Sequence, residues 1–368
     1  MEPSQDSYES LRDSLRSVPP AGHARERDVA WLAGDTLGAS RNERGQLEIF
    51  MRGPRLDCFY PNVRTRVDHD AWLQSDGTRL EASRLVLPAE GHYDALAAFL
   101  LTHLVENGAK EDLAKGFRRS EAAISVILET WLAHEEKSIG LSGELIVLRE
   151  LLRQTADHAA NVVDAWQGHQ HTARDFQLGA VGAEVKTTRR DVSRHHINGV
   201  RQVELGHRRD GGHETHLFMV SVGVAVIAVD EPLDHAWSLP ALIDQVLGLL
   251  DKAVLDEAKH DRLREELLAK VHGYGDGGWY DHASVASRAM HDQPFRTTFV
   301  RSYDMTDEAI PVIRSTDLAG FAAVLPETLR YEVELPRQVR GDLNPVAGQV
   351  PAIRNLVEIA GWSGSSPS

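Results

Sequence analysis

The feature that most constrains the fold is a pair of short segments in which polar and apolar residues alternate. They span residues 174–178 and 183–187, and the connection between them, 179–182, contains two glycines. Alternation is typical of strands with one buried face, and a short glycine-containing connection favours a β-hairpin. The pattern predicts a core face made of Phe176, Leu178, Ala183 and Val185.

The polar face of this hairpin carries the residue types of a metal site. If residues 179–182 form the loop, Asp175 pairs with Lys186 and Gln177 with Glu184, at cross-strand distances of about 5 Å. Two carboxylates suit Mg²⁺, a hard cation that prefers oxygen ligands and keeps several waters. Lys186 would then orient a metal-activated water or neutralise developing charge. The alternative is a surface hairpin with one Asp–Lys ion pair.

The rest of the chain predicts several structural units, because 368 residues exceed one ordinary core. Before residue 90, glycine and proline separate short apolar segments, which indicates a β-rich domain. After it, apolar residues recur at helical spacing, which predicts helices. Strands are expected near 162–166 and 217–229, helix over 239–271, and a glycine-rich connection at 273–280. The predicted segments are a polar arm at 1–25, a β-rich domain at 26–90, a helical connector at 91–136, a core at 137–230, an α+β region at 231–350 and a tail at 351–368.

Charge and composition limit the classes of function. The net charge of −15 argues against attraction of nucleic acid by the whole surface. Between residues 174 and 209, however, there are eight basic residues and four acidic ones, so the net charge of this segment is positive. One cysteine, Cys58, allows no intramolecular disulfide, and no export signal or membrane-length apolar segment is recognisable, so we expect a cytoplasmic protein without membrane association.

Several motifs around the hairpin resemble a known family. Besides Arg174-Asp175-Phe176 and Glu184-Val185-Lys186-Thr187-Thr188, these are Gly140-Leu141-Ser142-Gly143-Glu144-Leu145, Trp166-Gln167-Gly168 and Gln202. Together they resemble the PD-(D/E)XK nuclease superfamily, in particular a bacterial family of PD-(D/E)XK motif proteins of unknown function. Members of that family tend to lie in restriction and phage-defence gene clusters. One departure is Arg174, which stands where the superfamily motif has proline.

The resemblance implies a fold and a site. The fold would be α/β: a restriction-endonuclease-like mixed sheet flanked by helices, with the β-rich domain before it and the α+β region after it. Asp175 and Glu184 would be metal ligands, Lys186 the catalytic lysine, and Glu144 an auxiliary ligand or second acid. For Glu144 the alternative is an acid at a helix N-terminus, favoured by the helix dipole, with Ser142 as N-cap.

A basic segment after the second strand is the candidate DNA contact. In this superfamily a helix follows there and packs beside the site, so that its side chains could contact phosphates; a solvated loop is the alternative. Gln202 would orient a water or a phosphate, or be an ordinary surface glutamine. The residues of the segment are Arg189, Arg190, Arg194, His195 and His196.

These expectations combine into one functional hypothesis. The chain would be a Mg²⁺-dependent DNA endonuclease, with Mn²⁺ as a substitute, acting in restriction or phage defence. The alternative is a weakly active or inactive nuclease-fold subunit that binds DNA in a larger complex. No phosphate-binding loop of the ATPase type is recognisable, so any ATP-dependent step would need a separate ATPase. Cleavage of both strands needs two sites, which makes a homodimer a further hypothesis.

Overall fold

A computed structural model describes most of the chain and divides it into two compact units. The first comprises Met1–Glu135 and Ala228–Glu231, and the second comprises Glu136–Ile227 and Pro232–Ser368. The described residues are 11, 14–15, 17–21, 27–42, 46–74, 77–87, 93–168, 174–208, 210–227, 236–254, 256–284, 291, 294–321 and 323–362. Most of the predicted arm at 1–25 and the end of the predicted tail, 363–368, therefore lie outside the described residues.

The first unit is built on a five-stranded antiparallel sheet of order β1-β2-β3-β5-β4. A short helix precedes β4, and longer helices follow the sheet. Apolar side chains of the sheet, such as Ile49 and Leu85, share a buried cluster with Leu100 and Phe117 from those helices. The elements are β1 (Ala30–Ala33), β2 (Leu37–Arg41), β3 (Leu47–Arg52), α1 (Pro61–Arg64), β4 (Val67–Leu73), β5 (Arg79–Val86), α2 (Tyr93–Glu106) and the beginning of α3 (Leu113–Gln154).

Helix α3 is continuous over 42 residues. Residues 140–145 lie inside it, so Ser142 is not an N-cap and Glu144 is not in a first helical turn. The prediction of a helix beginning at Ser142 is therefore wrong. Leucine and other apolar side chains from Leu141 to Leu152 are buried in the core of the second unit, and this burial compensates for a glycine in the helix interior.

The second unit has a mixed five-stranded sheet of order β12-β10-β9-β7-β6, in which only the β7–β9 pair is parallel. A separate pair, β8 and β11, is antiparallel. This mixed α/β architecture confirms the predicted fold class. The elements after α3 are α4 (Ala159–Ala165), β6 (Phe176–Leu178), β7 (Val181–Thr188), β8 (Arg194–Asn198), β9 (His216–Val226), α5 (Leu239–Ala253), α6 (Glu257–Gly273), β10 (Phe295–Asp304), β11 (Arg330–Glu334), β12 (Val346–Ala347) and α7 (Gln349–Ile359).

Three predicted segments differ from the structure. Residues 162–165 are helical, because Ala159, Val162 and Val163 bury at the spacing of one helix face. Strand β10 pairs with β9, so the predicted boundary at residue 230 cuts through a single sheet. The predicted tail is wrong for residues 351–359, which belong to α7 and bury Ile353 and Leu356.

One core fills the second unit. Residues of α3 pack with the inner face of the sheet and with α5, α6 and α7, and Trp166 and Phe176 are among the largest fully buried side chains. This core fixes the positions of α3 and of the β6–β7 hairpin, which carry the candidate acids. In the described part of the chain, no helix has both the length and the apolarity needed to cross a membrane.

Candidate active site

The hairpin exists, but its register differs from the predicted one. Leu178 pairs with Val181, Gln177 with Gly182 and Phe176 with Ala183, so the turn contains only Gly179 and Ala180. Gly179 has a φ of 61°, the left-handed conformation that such two-residue turns favour and that glycine adopts without strain. The predicted pairing of Asp175 with Lys186 is therefore wrong.

Asp175 lies immediately before β6, beside the middle of β7. Its backbone N–H donates to the Ala183 carbonyl at 3.1 Å, and its Oδ2 accepts the backbone N–H of Val185 at 2.7 Å. Burial raises the pKa of Asp175 well above its ordinary value, and the negative charges of Glu144 and Glu184 raise it further. The carboxylate is thus held against β7 among other acids.

Glu184 and Lys186 lie two residues apart on β7, so their side chains leave the strand on the same side. Lys186 Nζ is 2.9 Å from Glu184 Oε1, and the Lys186 side chain is 17% exposed. Burial lowers the pKa of Lys186, but the charge and hydrogen bond of Glu184 outweigh it, and the net pKa lies above its ordinary value. Lys186 is therefore an ammonium group at neutral pH.

Gln202 contacts this pair. Its Nε2 donates to Glu184 Oε1 at 2.7 Å, while its Oε1 accepts the backbone N–H of Asn198 at 2.8 Å. Both ends of the amide are thus engaged, and Gln202 orients the Glu184 carboxylate. It lies in a short 3-10 turn, Val200–Gln202, and not on the helix that the resemblance implied.

Glu144 reaches the same region from α3. It is 4% exposed, and its two carboxylate oxygens accept hydrogen bonds of 2.7 Å from Trp166 Nε1 and from the Tyr274 hydroxyl. Burial raises the pKa of Glu144 to about 7, against the effect of these two hydrogen bonds, and the charge of Glu184 adds to the rise. Glu144 therefore interacts electrostatically with the acids of the hairpin.

Two glycines allow α3 to approach the motif closely. A Cβ on Gly168 would lie 1.7 Å from Glu144 Oε2, and a Cβ on Gly143 would lie 1.8 Å from Thr187 Oγ1. Real Cβ atoms do not approach other atoms this closely, so a larger residue at either position would displace Glu144 or β7. Two of the glycines quoted in the sequence motifs, Gly143 and Gly168, are thus explained by contacts with Thr187 and Glu144.

The basic segment after β7 forms a turn and then strand β8, where a helix was expected. Among its exposed side chains, Arg190 Nη1 is 3.2 Å from Glu332 Oε1, and Arg194 forms an ion pair with Glu334. Arg189 is exposed in the turn, and His196 is exposed on β8. The two paired arginines thus have acidic partners on β11.

His195 differs from its neighbours because it points into the protein. It is 4% exposed, and its Nε2 is 2.8 Å from Ser221 Oγ on β9. Burial lowers the pKa of His195 to about 3, and the charge of Lys186 contributes to the fall. The expectation that His195 contacts a phosphate therefore conflicts with its burial.

The charge of the cluster fits a divalent cation. Asp175, Glu184 and Glu144 contribute three carboxyl groups, and the charge of Lys186 lowers the pKa of both Asp175 and Glu144. A donor set of hard carboxylate oxygens suits Mg²⁺. Among the described residues, no group of three His, Cys, Asp or Glu side chains has metal-binding spacing.

Comparison with known families agrees with this geometry. Residues 95–277, which contain α3, the hairpin and Tyr274, match the model of the family described as "Putative PD-(D/E)XK family member, (DUF4420)". By these residues the chain resembles the PD-(D/E)XK superfamily. No curated protein and no solved structure matches the chain.

Within this PD-(D/E)XK segment, the structure adds residues that the sequence did not assign to the site. Arg174, which replaces the motif proline, is 5% exposed and donates to both oxygens of Glu214, at 2.9 and 2.7 Å. It also donates to the carbonyls of Arg201 and Glu204, and so connects the start of β6 to the backbone on both sides of Gln202. No sequence signal identifies this role, because the partners are 27 to 40 residues away.

Tyr274 is the other residue that was missed. It begins a 3-10 turn, Tyr274–Asp276, in the glycine-rich segment that was predicted to be a simple connection. Its hydroxyl reaches Glu144 across 130 residues of sequence. The Trp166-Gln167-Gly168 motif, in contrast, was recognised as part of the resemblance, and both Trp166 and Gly168 contact Glu144.

Proposed function

We propose that the chain hydrolyses phosphodiester bonds of DNA with Mg²⁺, or Mn²⁺ in its place. The observation that carries this proposal is the position of Asp175 and Glu184, which extend from adjacent segments of the hairpin beside the Lys186 ammonium. The match of this segment to the PD-(D/E)XK family supports it. Among side-chain arrangements in the described residues, this one is suited to holding a cation next to a phosphate.

The proposal gives each acid a role in holding the metal. Asp175 and Glu184 would bind the cation, and Glu144 would add negative charge or a further oxygen. When bound, Mg²⁺ supplies Lewis-acid chemistry and lowers the pKa of a coordinated water. The hydrogen bonds from Val185 to Asp175 and from Gln202 to Glu184 leave the second oxygen of each carboxylate available.

Lys186 would stabilise negative charge in this reaction. Because its pKa is raised, it carries a proton at neutral pH and is suited to donating to a phosphate oxygen or to a nucleophilic water. It would not serve as a general base in this state. Gln202 would act as a positioning residue, since its contact is with Glu184 and not with the reacting atoms.

The test is metal-dependent cleavage of plasmid DNA. We expect nicking or linearisation in Mg²⁺ or Mn²⁺ that stops with EDTA and falls by about a hundredfold or more in Lys186→Ala, since removing one charge-stabilising donor has effects of this size. The matched control is Lys252→Ala, an exposed lysine on α5. Cleavage that survives both EDTA and Lys186→Ala would contradict the assignment of this site.

A second candidate function is DNA binding without turnover. It is favoured by the fact that Glu184 already has two protein partners, Lys186 and Gln202, and that no three-ligand metal group exists among the described residues. Retardation of DNA in gels, with no nicking across metals and across modified and unmodified substrates, would favour this function. Nicking that is lost in Lys186→Ala would exclude it.

The proposed biological role is restriction of foreign DNA or phage defence in the cytoplasm, with a separate ATPase or other subunits as partners. A homodimer would bring two sites to the two strands. Light scattering of the purified chain with and without a DNA duplex tests this, and a single-chain mass in both conditions would count against the dimer.

A further inference from the structure

A cavity in the second unit is lined by residues outside the candidate active site. Its volume is about 600 Å³, within the range of roughly 300–1,000 Å³ typical of small-molecule sites. The cavity lies where the end of α3 meets α5, the beginning of β10 and the beginning of α7. Its described lining residues are Arg149, Arg153, Ala236, Trp237, Gln245, Arg296, Thr297 and Gln349.

The charge of this lining is positive. Three of the described lining residues are arginines and none is acidic. The nearby acid, Glu150, is buried, and its carboxylate accepts hydrogen bonds from Gln154 and Gln349 at 2.8 and 3.1 Å, with Arg153 at 3.7 Å. Glu150 thus offsets part of the charge of Arg153, and its charge also raises the pKa of Arg149, although no ion pair joins Arg149 to a carboxylate among the described residues.

Arg149 is a buried arginine in the lining of this cavity with few hydrogen-bond acceptors. It is 7% exposed, yet only its Nη1 has a described acceptor, Gln245 Oε1 at 2.7 Å, and its buried Nε has none. A guanidinium has five N–H donors, and buried donors normally have acceptors. Burial, together with the charge of Arg153, lowers the pKa of Arg149 to about 10, so Arg149 is still charged at neutral pH. Its Nη2 also has no acceptor among the described residues, and an oxyanion in the cavity would supply one.

The neutral polar groups of the wall favour the same kind of ligand. Gln245 uses its Oε1 to accept from Arg149, which leaves the N–H donors of its amide for a ligand. The cavity is therefore rich in donors and positive charge. A phosphate group, which has several acceptor oxygens and pairs with guanidinium groups in bidentate fashion, matches this chemistry.

We propose that this cavity is an anion site that binds a phosphate group, carried by a small phosphorylated molecule such as a nucleotide. A small molecule is favoured over a backbone phosphate of DNA because Arg149 is only 7% exposed, whereas contacts to a duplex need side chains that protrude. The site is independent of the proposed nuclease activity.

Isothermal titration calorimetry on the full chain tests the proposal, with pyrophosphate and ATP as probes in EDTA and at ionic strength matched with KCl. We expect both probes to bind, and the Kd to rise about tenfold in Arg153→Gln and in Arg149→Gln, as expected for loss of one charge-assisted hydrogen bond. Arg153 is 47% exposed, so its variant should fold even if Arg149→Gln does not. Arg262→Gln, an exposed arginine on α6, is the matched control.

Two further experiments show which site binds the probes and which kind of molecule carries the phosphate. Lys186→Ala should bind both probes as tightly as the unmodified chain, which separates this cavity from the candidate active site. A short DNA duplex that displaces ATP only when Arg153 is present would assign the phosphate to nucleic acid and overturn the small-molecule assignment. Absence of binding by both probes, or equal Kd values for Arg153→Gln and Arg262→Gln, would overturn the anion site itself.

Discussion

Replacing Gly168 with alanine tests the position of Glu144 without changing any charge. A Cβ at residue 168 would lie 1.7 Å from Glu144 Oε2 and 2.6 Å from its Cδ, and Oε2 is the atom that accepts the Trp166 Nε1–H. The carboxylate must therefore move and lose this hydrogen bond. We expect Gly168→Ala to lower the stability of the second unit.

The magnitude of this loss of stability follows from the hydrogen bond that is lost and from the strain of overpacking. A buried hydrogen bond to a charged or partly charged group contributes about 1.5–3 kcal/mol, and the local strain of overpacking adds about 1 kcal/mol or more. The expected loss in the free energy of unfolding is therefore at least about 2.5–4 kcal/mol. Because Glu144 is displaced from the acid cluster, metal-dependent cleavage should fall as well.

Urea denaturation followed by circular dichroism measures this loss, with separate transitions fitted if the two units unfold separately. Gly248→Ala is the matched control, because Gly248 lies within α5 and a Cβ there would meet no atom within 4 Å. That variant should be neutral or more stable by up to about 1 kcal/mol. If Gly168→Ala unfolds at the same urea concentration as the unmodified chain, the placement of Glu144 against Gly168 is wrong.

Two further substitutions test other contacts of the site. Burial keeps the pKa of His195 at about 3 in the folded protein, below its ordinary 6.5, so the unfolded chain binds more protons between these values and stability falls as pH decreases through that window. The contribution of His195 to the slope of the unfolding free energy against pH, up to about 1.4 kcal/mol per pH unit, should disappear in His195→Gln. Urea titrations at pH 4 to 7 measure this slope. An unchanged slope would contradict the burial of a neutral imidazole. Gly182→Ala would place a Cβ 2.3 Å from Glu214 Oε1 and 2.7 Å from Arg174 Nε. Disruption of this buried ion pair should lower the free energy of unfolding by about 3–5 kcal/mol in the same assay. A loss of stability no larger than that of Gly248→Ala would refute the contact.

The sequence by itself determined the local character of the site. Alternation of polar and apolar residues placed Glu184 and Lys186 on one side of a strand, and Phe176, Leu178 and Ala183 are buried as predicted. These features depend on residues two positions apart, and the period of a strand fixes them whatever else the chain does. The resemblance of residues 140–202 to the PD-(D/E)XK superfamily was confirmed for the same reason, because its motifs are short local strings.

Only the tertiary structure decided which strand positions face each other. The predicted hairpin register differs from the observed one by two residues, and a shift of two leaves every side chain on its original face. Alternation therefore cannot distinguish the two registers, whereas the conformation of Gly179 and the packing of β7 against β9 do. The shift removes Lys186 from the position opposite Asp175, and its ion pair is with Glu184 on its own strand.

The long-range contacts were likewise beyond local patterns. Tyr274 holds Glu144 from 130 residues away, and Arg174 is bound to Glu214 across 40 residues. Propensity and periodicity describe a window of a few residues, while these pairs exist because a shared core brings α3, the hairpin and the segment after α6 together. The sequence determined which residues could perform the chemistry, and the packing of that core determined which of them meet.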